Sequence, residues 1–382
     1  MIRTECVDLL RQMVGIPSES QKEKQLAIFI QQYLKDELGM ETRLQHISGE
    51  SYNIVGRWRT ETANRRKLML GGHIDTVSPG TQWPTDPYKL TQRGDELHGL
   101  GAADMKGGLA AQLTVLKRIR DQHIKLNAEI EFVGLADEER YSIGAHAYVD
   151  FMRKNKEKSQ DTFFIMGEPH YSNVVIGAAG KALLSLNIKG REGHASHPES
   201  GINAIDCMAE LLAELQKTYW PKYRAGKCGS LCSLRIESAY GGYSLTIPDQ
   251  CTCWMNKQLL PCERIEDFIL DVEQIYSAKV GRGKLEIHRE IPNYPAYLLP
   301  DNQSDVEKLR LFLKNRFHRE PQFKINQSVS DGNILYHELQ IPTVLFGPDG
   351  VDFHTEREYV TISSLDAYME ELYDYLRTEY TQ

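Results

Sequence analysis

Residues 71–108 read GGHIDTV at one end and GLGAADMKGG at the other, and this stretch decides the fold. It follows Lys67-Leu68-Met69-Leu70, an apolar run that predicts a buried strand. That strand ends in Gly71-Gly72 and delivers His73 and Asp75 with one residue between them. At the far end Gly99 and Gly101 lead to Asp104, and Lys106-Gly107-Gly108 opens an apolar helix predicted over 109–119. Imidazole and carboxylate at strand ends, where the chain turns, form half of a metal site. His-x-Asp suits a ligand and its orienting partner: His73 binds through one ring nitrogen while Asp75 takes the proton of the other. The same residues also suit a plain α/β turn whose His and Asp cap the next helix, so the rest of the chain has to decide.

Working outward, two helices over 1–40 flank the loop Gly15-Ile16-Pro17-Ser18-Glu19-Ser20, and Gly39 stops the second. Strands are predicted at 41–45, 52–58, 67–70, 128–134 and 161–166, with a helix at 144–152. The strand 128–134 runs into Ala136-Asp137-Glu138-Glu139, and 161–166 into Gly167-Glu168-Pro169. Three strands thus deliver acidic or imidazole groups just past their C-terminal ends, where open α/β sheets gather ligands. After Gly177 the pattern changes to alternating strands at 182–188, 231–237, 250–257 and 285–290, with a helix at 204–217. This reads as a small α+β domain with one exposed sheet face. From Pro300 the α/β pattern returns: a helix to about 317, a turn at Ser330-Asp331-Gly332, the strand 343–346 and a final helix at 362–376. The expectation is a domain formed by 1–177 plus 295–382, with 178–294 inserted into it.

The chain has 382 residues and a formal net charge of −8, so no basic footprint points to nucleic acid. No apolar run reaches the length of a membrane span, and Met1-Ile2-Arg3-Thr4-Glu5-Cys6 is no secretion signal. An odd count of 7 cysteines without an export signal points to reduced thiols and a cytoplasmic location. Cys228/Cys232 and Cys251/Cys253 have metal-like spacings, but the latter pair lies in the alternating segment CTCWMNK and reads as small core side chains.

The residues placed just after strands are His73, Asp75, Asp104, Glu138, Glu139, Glu168 and His354. This nitrogen–oxygen set without thiolates suits two zinc-like ions bridged by a shared carboxylate. Of two adjacent glutamates, one can bind metal while the other takes a proton from water. With the blocks GGHIDTV, Trp83 to Pro87, GLGAADMKGG, ADEERYSIGA, MGEP, KGREGHASHPESGINAI and FGPDGVDFHTEREYV, the chain resembles the M20 family of metallopeptidases and amidohydrolases. That group includes acetylornithine deacetylase, succinyl-diaminopimelate desuccinylase, aminoacylase and carboxypeptidase G-type enzymes. The resemblance implies an α/β fold: a mixed-sheet dinuclear-metal hydrolase domain with an inserted α+β lid and dimerisation domain. It implies that Asp104 bridges two divalent ions, zinc foremost, with cobalt or manganese as alternatives. His73 and Glu168 complete one site, Glu139 and His354 the other, Asp75 orients His73 and Glu138 is the general base. It further implies a homodimer in which His194 reaches an active site, often the partner subunit's, and binds the oxyanion.

The implied reaction is hydrolysis of an amide in a small molecule or peptide, foremost N-deacylation of an N-acyl amino acid. The alternatives are a dipeptidase or carboxypeptidase, an amidohydrolase whose substrate lacks the α-carboxylate, and an inactive metal-binding relative. The third arises from a departure. Gln258 stands where the resembling enzymes carry an Arg before a Pro, and Ser244-Leu245-Thr246-Ile247 precede Pro248 where they carry an Asn. Gln lacks the charged fork that holds a carboxylate, which leaves Lys257, Arg235 or Arg289 as replacements.

Overall fold

A computed structural model describes residues 2–59, 66–156, 161–170, 173–238, 245–300, 302–318 and 322–381; Ser244 lies outside them. The chain divides into two units, one of Met1–Gly177, Leu298–Asn326 and Ser330–Gln382, the other of Ala178–Tyr297 and Gln327–Val329.

Unit one begins with helices α1 (Ile2–Val14) and α2 (Lys24–Gln32), the second prolonged by a π-turn to Glu37. Gly39, at φ 65°, supplies the left-handed residue that ends it. Strands β1 (Glu41–Ser48), β2 (Ser51–Trp58) and β3 (Lys67–His73) follow, then the short β4 (Thr91–Arg93) and β5 (Glu96–His98). Helix α3 (Gly107–Asp121), β6 (Glu129–Leu135), α4 (Ile143–Lys154), β7 (Thr162–Met166) and β8 (Asn173–Ala178) come next. Every residue of β3 is buried, as befits a strand with neighbours on both edges and helices on its faces.

Unit two contains β9 (Gly180–Lys189), α5 (Ala204–Arg224), β10 (Leu231–Glu237), β11 (Gln250–Leu259), α6 (Ile265–Ile275) and β12 (Lys284–Tyr294). The strands form an antiparallel sheet in the order β10-β11-β9-β12. Strand β11 alternates buried and partly exposed residues, and its inward side chains Cys251, Cys253 and Met255 pack with Leu184, Leu186 and Ile188 in the core beside Met208 and Leu211 of α5. These cysteines are free thiols filling core space.

Back in unit one, β13 (Tyr297–Leu298), α7 (Ser304–Phe317), β14 (Gln322–Asn326), α8 (Asp331–Leu339), β15 (Thr343–Leu345), β16 (Gly350–Val351), β17 (Tyr359–Thr361) and α9 (Ile362–Glu379) complete the chain. The turn expected at Ser330-Asp331-Gly332 is the start of α8. Ser330 caps the helix and its N–H donates to Asn333 Oδ1 at 2.9 Å, a reciprocal arrangement that stabilises a helix start. The main sheet runs β1-β2-β6-β3-β7-β15-β8-β13, with β14 beside β8. Its middle four strands, β6, β3, β7 and β15, are mutually parallel, so their C-terminal ends share one edge. A small sheet, β16-β17-β5-β4, has strands of two or three residues, too short to leave a periodic signal in sequence.

Glycines let backbones meet at the working edge. A methyl group on Gly108, at the start of α3, would lie 1.8 Å from the Gly167 carbonyl oxygen after β7. One on Gly347, after β15, would lie 2.2 Å from the same oxygen. Backbone cannot yield as a flexible side chain can, so Gly108→Ala is expected to destabilise the protein by about 1–3 kcal/mol, read as a lowered unfolding midpoint. An unchanged midpoint would show that this contact is slack.

Candidate metal centre

Three neighbouring strands, a turn and the small sheet supply the residues. His73 is the last residue of β3, and Glu168 follows β7. Glu138 and Glu139 follow β6, where Asp137 at φ 64° turns the chain. His354, at φ 59°, lies between β16 and β17, the small sheet beyond β15. Asp104 sits in the turn leading into α3 with non-helical dihedrals (φ −115°, ψ 92°), and its bond to Met105 is cis.

Asp104 is the centre of the arrangement. Its Oδ1 lies 3.0 Å from His73 Nε2 and its Oδ2 3.3 Å from His354 Nε2. His73 Nε2 is 3.9 Å from Glu168 Oε1, and His354 Nε2 is 2.9 Å from the Glu139 carboxylate. Among the described residues, three groupings bring potential ligand atoms within 4.8 Å of one another: His73, Asp104 and Glu168; Asp104, Glu139 and His354; His73, Glu138 and Glu139. No cysteine belongs to any of them.

Asp75 has a broader part than orienting one ring. His73 Nδ1 is 3.0 Å from the Asp75 main-chain oxygen and 3.5 Å from its Oδ1. The carboxylate instead accepts the Glu138 N–H at 3.0 Å, the Glu139 N–H at 3.1 Å and the Ser20 hydroxyl at 2.7 Å. One buried carboxylate therefore ties the loop before α2 to the backbone of the glutamate pair.

Electrostatics describe a cluster short of positive charge. Burial disfavours a charge on His73, yet bonding to Asp104 and Asp75 and the charge of Glu168 hold its pKa well above the ordinary imidazole value. His354, beside Asp104 and Glu139, is raised to about 10. Burial raises the Asp104 pKa, but the two imidazoles outweigh it and keep this carboxyl well below its usual range. Burial, reinforced by neighbouring carboxylates, pushes Glu168 up to about 8 and Glu138 well above the ordinary value. A cation beside these carboxyl groups would favour their ionised form. The donor set is imidazole and carboxylate with one carboxylate turned toward both halves, which fits two divalent ions of the zinc, cobalt or manganese type.

Two supporting residues escaped the sequence reading. Ser20 stands in the loop 15–20 and Glu358 within the block FGPDGVDFHTEREYV, and the sequence assigns a role to neither. Glu358 is 1% exposed and accepts the N–H groups of Gly101 at 2.9 Å, Ala103 at 2.9 Å and Asp104 at 3.0 Å. Its only sequence signal is a place four residues beyond His354, before an apolar strand. His194 belongs to unit two, on an exposed loop between β9 and α5, where its Nδ1 accepts the Ser196 N–H at 3.2 Å.

Known proteins share this architecture. A tripeptidase from Staphylococcus aureus aligns over 98% of both chains with a TM-score of 0.80 at 23% identity. A dinuclear metal binding peptidase of Bacillus subtilis aligns over 98% of both chains with a TM-score of 0.72 at 13% identity. Among sequences, an acetylornithine deacetylase from Photorhabdus laumondii is 32% identical over 94% of this chain and 92% of its own length. An N-formyl-4-amino-5-aminomethyl-2-methylpyrimidine deformylase from Halalkalibacterium halodurans is 26% identical over 98% of this chain and 94% of its own length. The description "Peptidase family M20/M25/M40" matches residues 69–378, a span that takes in the whole cluster from His73 to His354. On that match and the near full-length relatedness, the protein is a member of the M20 family of metal-dependent amide hydrolases.

Proposed function

We propose that the protein hydrolyses an amide bond of a small molecule at a centre for two divalent cations, with Asp104 shared between them. His73 and Glu168 complete one site, Glu139 and His354 the other. The observation that carries this reading is the pair of Asp104 oxygens, each facing an imidazole from a different part of the chain. When bound, two such ions supply Lewis acidity that polarises the amide carbonyl and acidifies water. Zinc is the favoured metal, with cobalt or manganese also suited to these ligands.

Glu138 is the general base. It lies beside the ligands, in the grouping with His73 and Glu139, but belongs to neither of the two groupings built on Asp104. A carboxylate so placed can take a proton from the attacking water and return it to the leaving amine. Asp75 holds the Glu138 backbone and so the aim of this side chain. His194 is assigned to the carbonyl oxygen as charge develops on it, a role supported by family membership and by its exposed position.

For the substrate, an N-acyl amine is favoured over a peptide, in keeping with the deacetylase and deformylase relatives. A second reading, an amide without an α-carboxylate, has a specific observation behind it. All three cations offered as substitutes for an Arg at position 258 are engaged inside unit two. Lys257 is fully buried and donates to Glu263 Oε1 at 2.8 Å and to the Gly229 and Gln258 carbonyls. Arg289 pairs with Glu266 at 2.7 Å, and Arg235 pairs with Glu237 and stacks over Trp254. Gln258 itself donates to the Gln327 carbonyl and accepts the Ser230 N–H.

A homodimer is supported by the edge of unit two. Strand β10 ends its sheet with Leu234 57% and Ile236 53% exposed, and Trp220 of α5 is 53% exposed nearby. An unpaired apolar edge of this kind favours pairing with a second copy. No described helix is long and apolar enough to cross a membrane, and all seven cysteines are free thiols, which supports a reducing, cytoplasmic setting.

Three outcomes are expected. Glu138→Gln retains two ions by metal analysis yet loses about 10²–10⁴-fold in turnover; undiminished turnover would remove Glu138 from this role. Metal-stripped protein reloaded with zinc, cobalt or manganese cleaves N-formyl and N-acetyl amines lacking a carboxylate at least as well as the matched N-acyl amino acids. Strict preference for the amino acids would overturn the second reading. By light scattering the protein is a dimer that Ile236→Lys converts to monomer; an unaltered dimer would place the interface elsewhere.

A further inference from the structure

Asp104 must present two oxygens in two directions, yet it stands on a turn that neither helix nor sheet geometry holds. No side chain within the turn caps it, and Gly101 at φ 71° and the non-helical dihedrals of Asp104 and Met105 interrupt the approach to α3. Backbone N–H groups at such a helix entry need acceptors from elsewhere. Here a single buried carboxylate provides them. Glu358 Oε2 accepts the Gly101 N–H, while Oε1 accepts those of Ala103 and of Asp104 itself.

The turn is also held from its other end. The Lys106 side chain is buried, and its ammonium donates to the Met13 and Ile16 carbonyls at 3.0 Å each, anchoring the turn to the end of α1. The carboxylate that sets the first end comes from the segment that carries His354, four residues earlier. This segment is held by pairing of β17 with β5, where Tyr359 lies opposite His98 and Val360 opposite Leu97. Asp104 and His354, which face each other, are thus mechanically joined through Glu358.

We propose that Glu358 is a positioning residue for the shared carboxylate: by accepting three N–H groups of the 101–104 turn it fixes the direction of both Asp104 oxygens relative to His354. The inference rests on the two-ion reading above. A carboxylate is required for this task because both of its oxygens accept. A glutamine has the same shape but would turn an NH₂ group toward one of the N–H donors, so at least one bond is replaced by a repulsive contact.

The test uses the full-length protein loaded with Co(II), whose visible spectrum reports ligand geometry. Metal-free Glu358→Gln is expected to unfold cooperatively, with the far-ultraviolet dichroism of the parent. Its cobalt affinity falls about 10- to 100-fold, the range for residues that orient ligands without binding metal, and its visible bands shift. Glu358→Asp, which keeps the charge on a shorter arm, shifts the bands in the same sense and retains more affinity than the Gln variant. Parental affinity and spectrum in both variants would overturn the proposal. Should the Gln variant not fold, the Asp variant decides alone: shifted bands support the role and unshifted bands overturn it. If the parent protein itself fails to take two ions, the two-ion reading fails, an outcome distinct from a parent that binds two ions and a variant that binds them identically.

Discussion

Everything at the candidate centre depends on one electrostatic constraint: Asp104, Glu138, Glu139 and Glu168 crowd together around the imidazoles of His73 and His354. Parallel strands create the crowding, because β6, β3, β7 and β15 all end at one edge of the sheet. A protein that spent this much repulsion on mere packing would be poorly stable, since buried like charges raise one another's pKa and disfavour ionisation. Divalent cations, bound as proposed, would resolve the conflict, and the imidazoles of His73 and His354 each approach one Asp104 oxygen. The centre is built around that need.

The surrounding structure serves to hold the crowding in place. Buried carboxylates act on backbone rather than on one another: Asp75 accepts the amides of Glu138 and Glu139, and Glu358 accepts those of the turn carrying Asp104. Each such bond uses a carboxylate acceptor to fix the backbone of a neighbouring candidate ligand, which is more directional than contact between flexible side chains. Beneath them, Gln112 of α3 accepts the Gly71 N–H at 2.6 Å and donates to the Ile165 carbonyl at 3.1 Å, joining β3 to β7 just before His73 and Glu168. The close backbone contact of Gly108 with Gly167 makes the same junction possible from the helix side.

Unit two obeys different physics. Its sheet buries one face against α5 and α6, and its charged groups are largely committed to local pairs, Lys257 with Glu263 most completely. Gln258 shares this commitment, so the position where the resemblance leads one to expect an Arg is here a structural link between Ser230 and Gln327. The departure in sequence therefore has a structural counterpart, and it changes the charge that unit two can offer.

Much of this was legible along the chain. Apolar runs, helix stops such as Gly39 and strand ends carrying His73, Glu138 and Glu168 are local signals, set by periodicity and by the backbone freedom of glycine. The residue types and their order, with the resemblance they support, determined the fold class and metal-dependent amide hydrolysis. What only the tertiary structure decided were relationships between distant segments: that Asp75 holds the glutamate backbone more than the His73 ring, that Glu358 supports the Asp104 turn, that Ser330 begins a helix, and that Lys257 is already engaged. The first two rest on backbone N–H groups meeting carboxylates across up to 257 positions of sequence. An acidic residue that will be buried against such donors carries the same letter as one left in water.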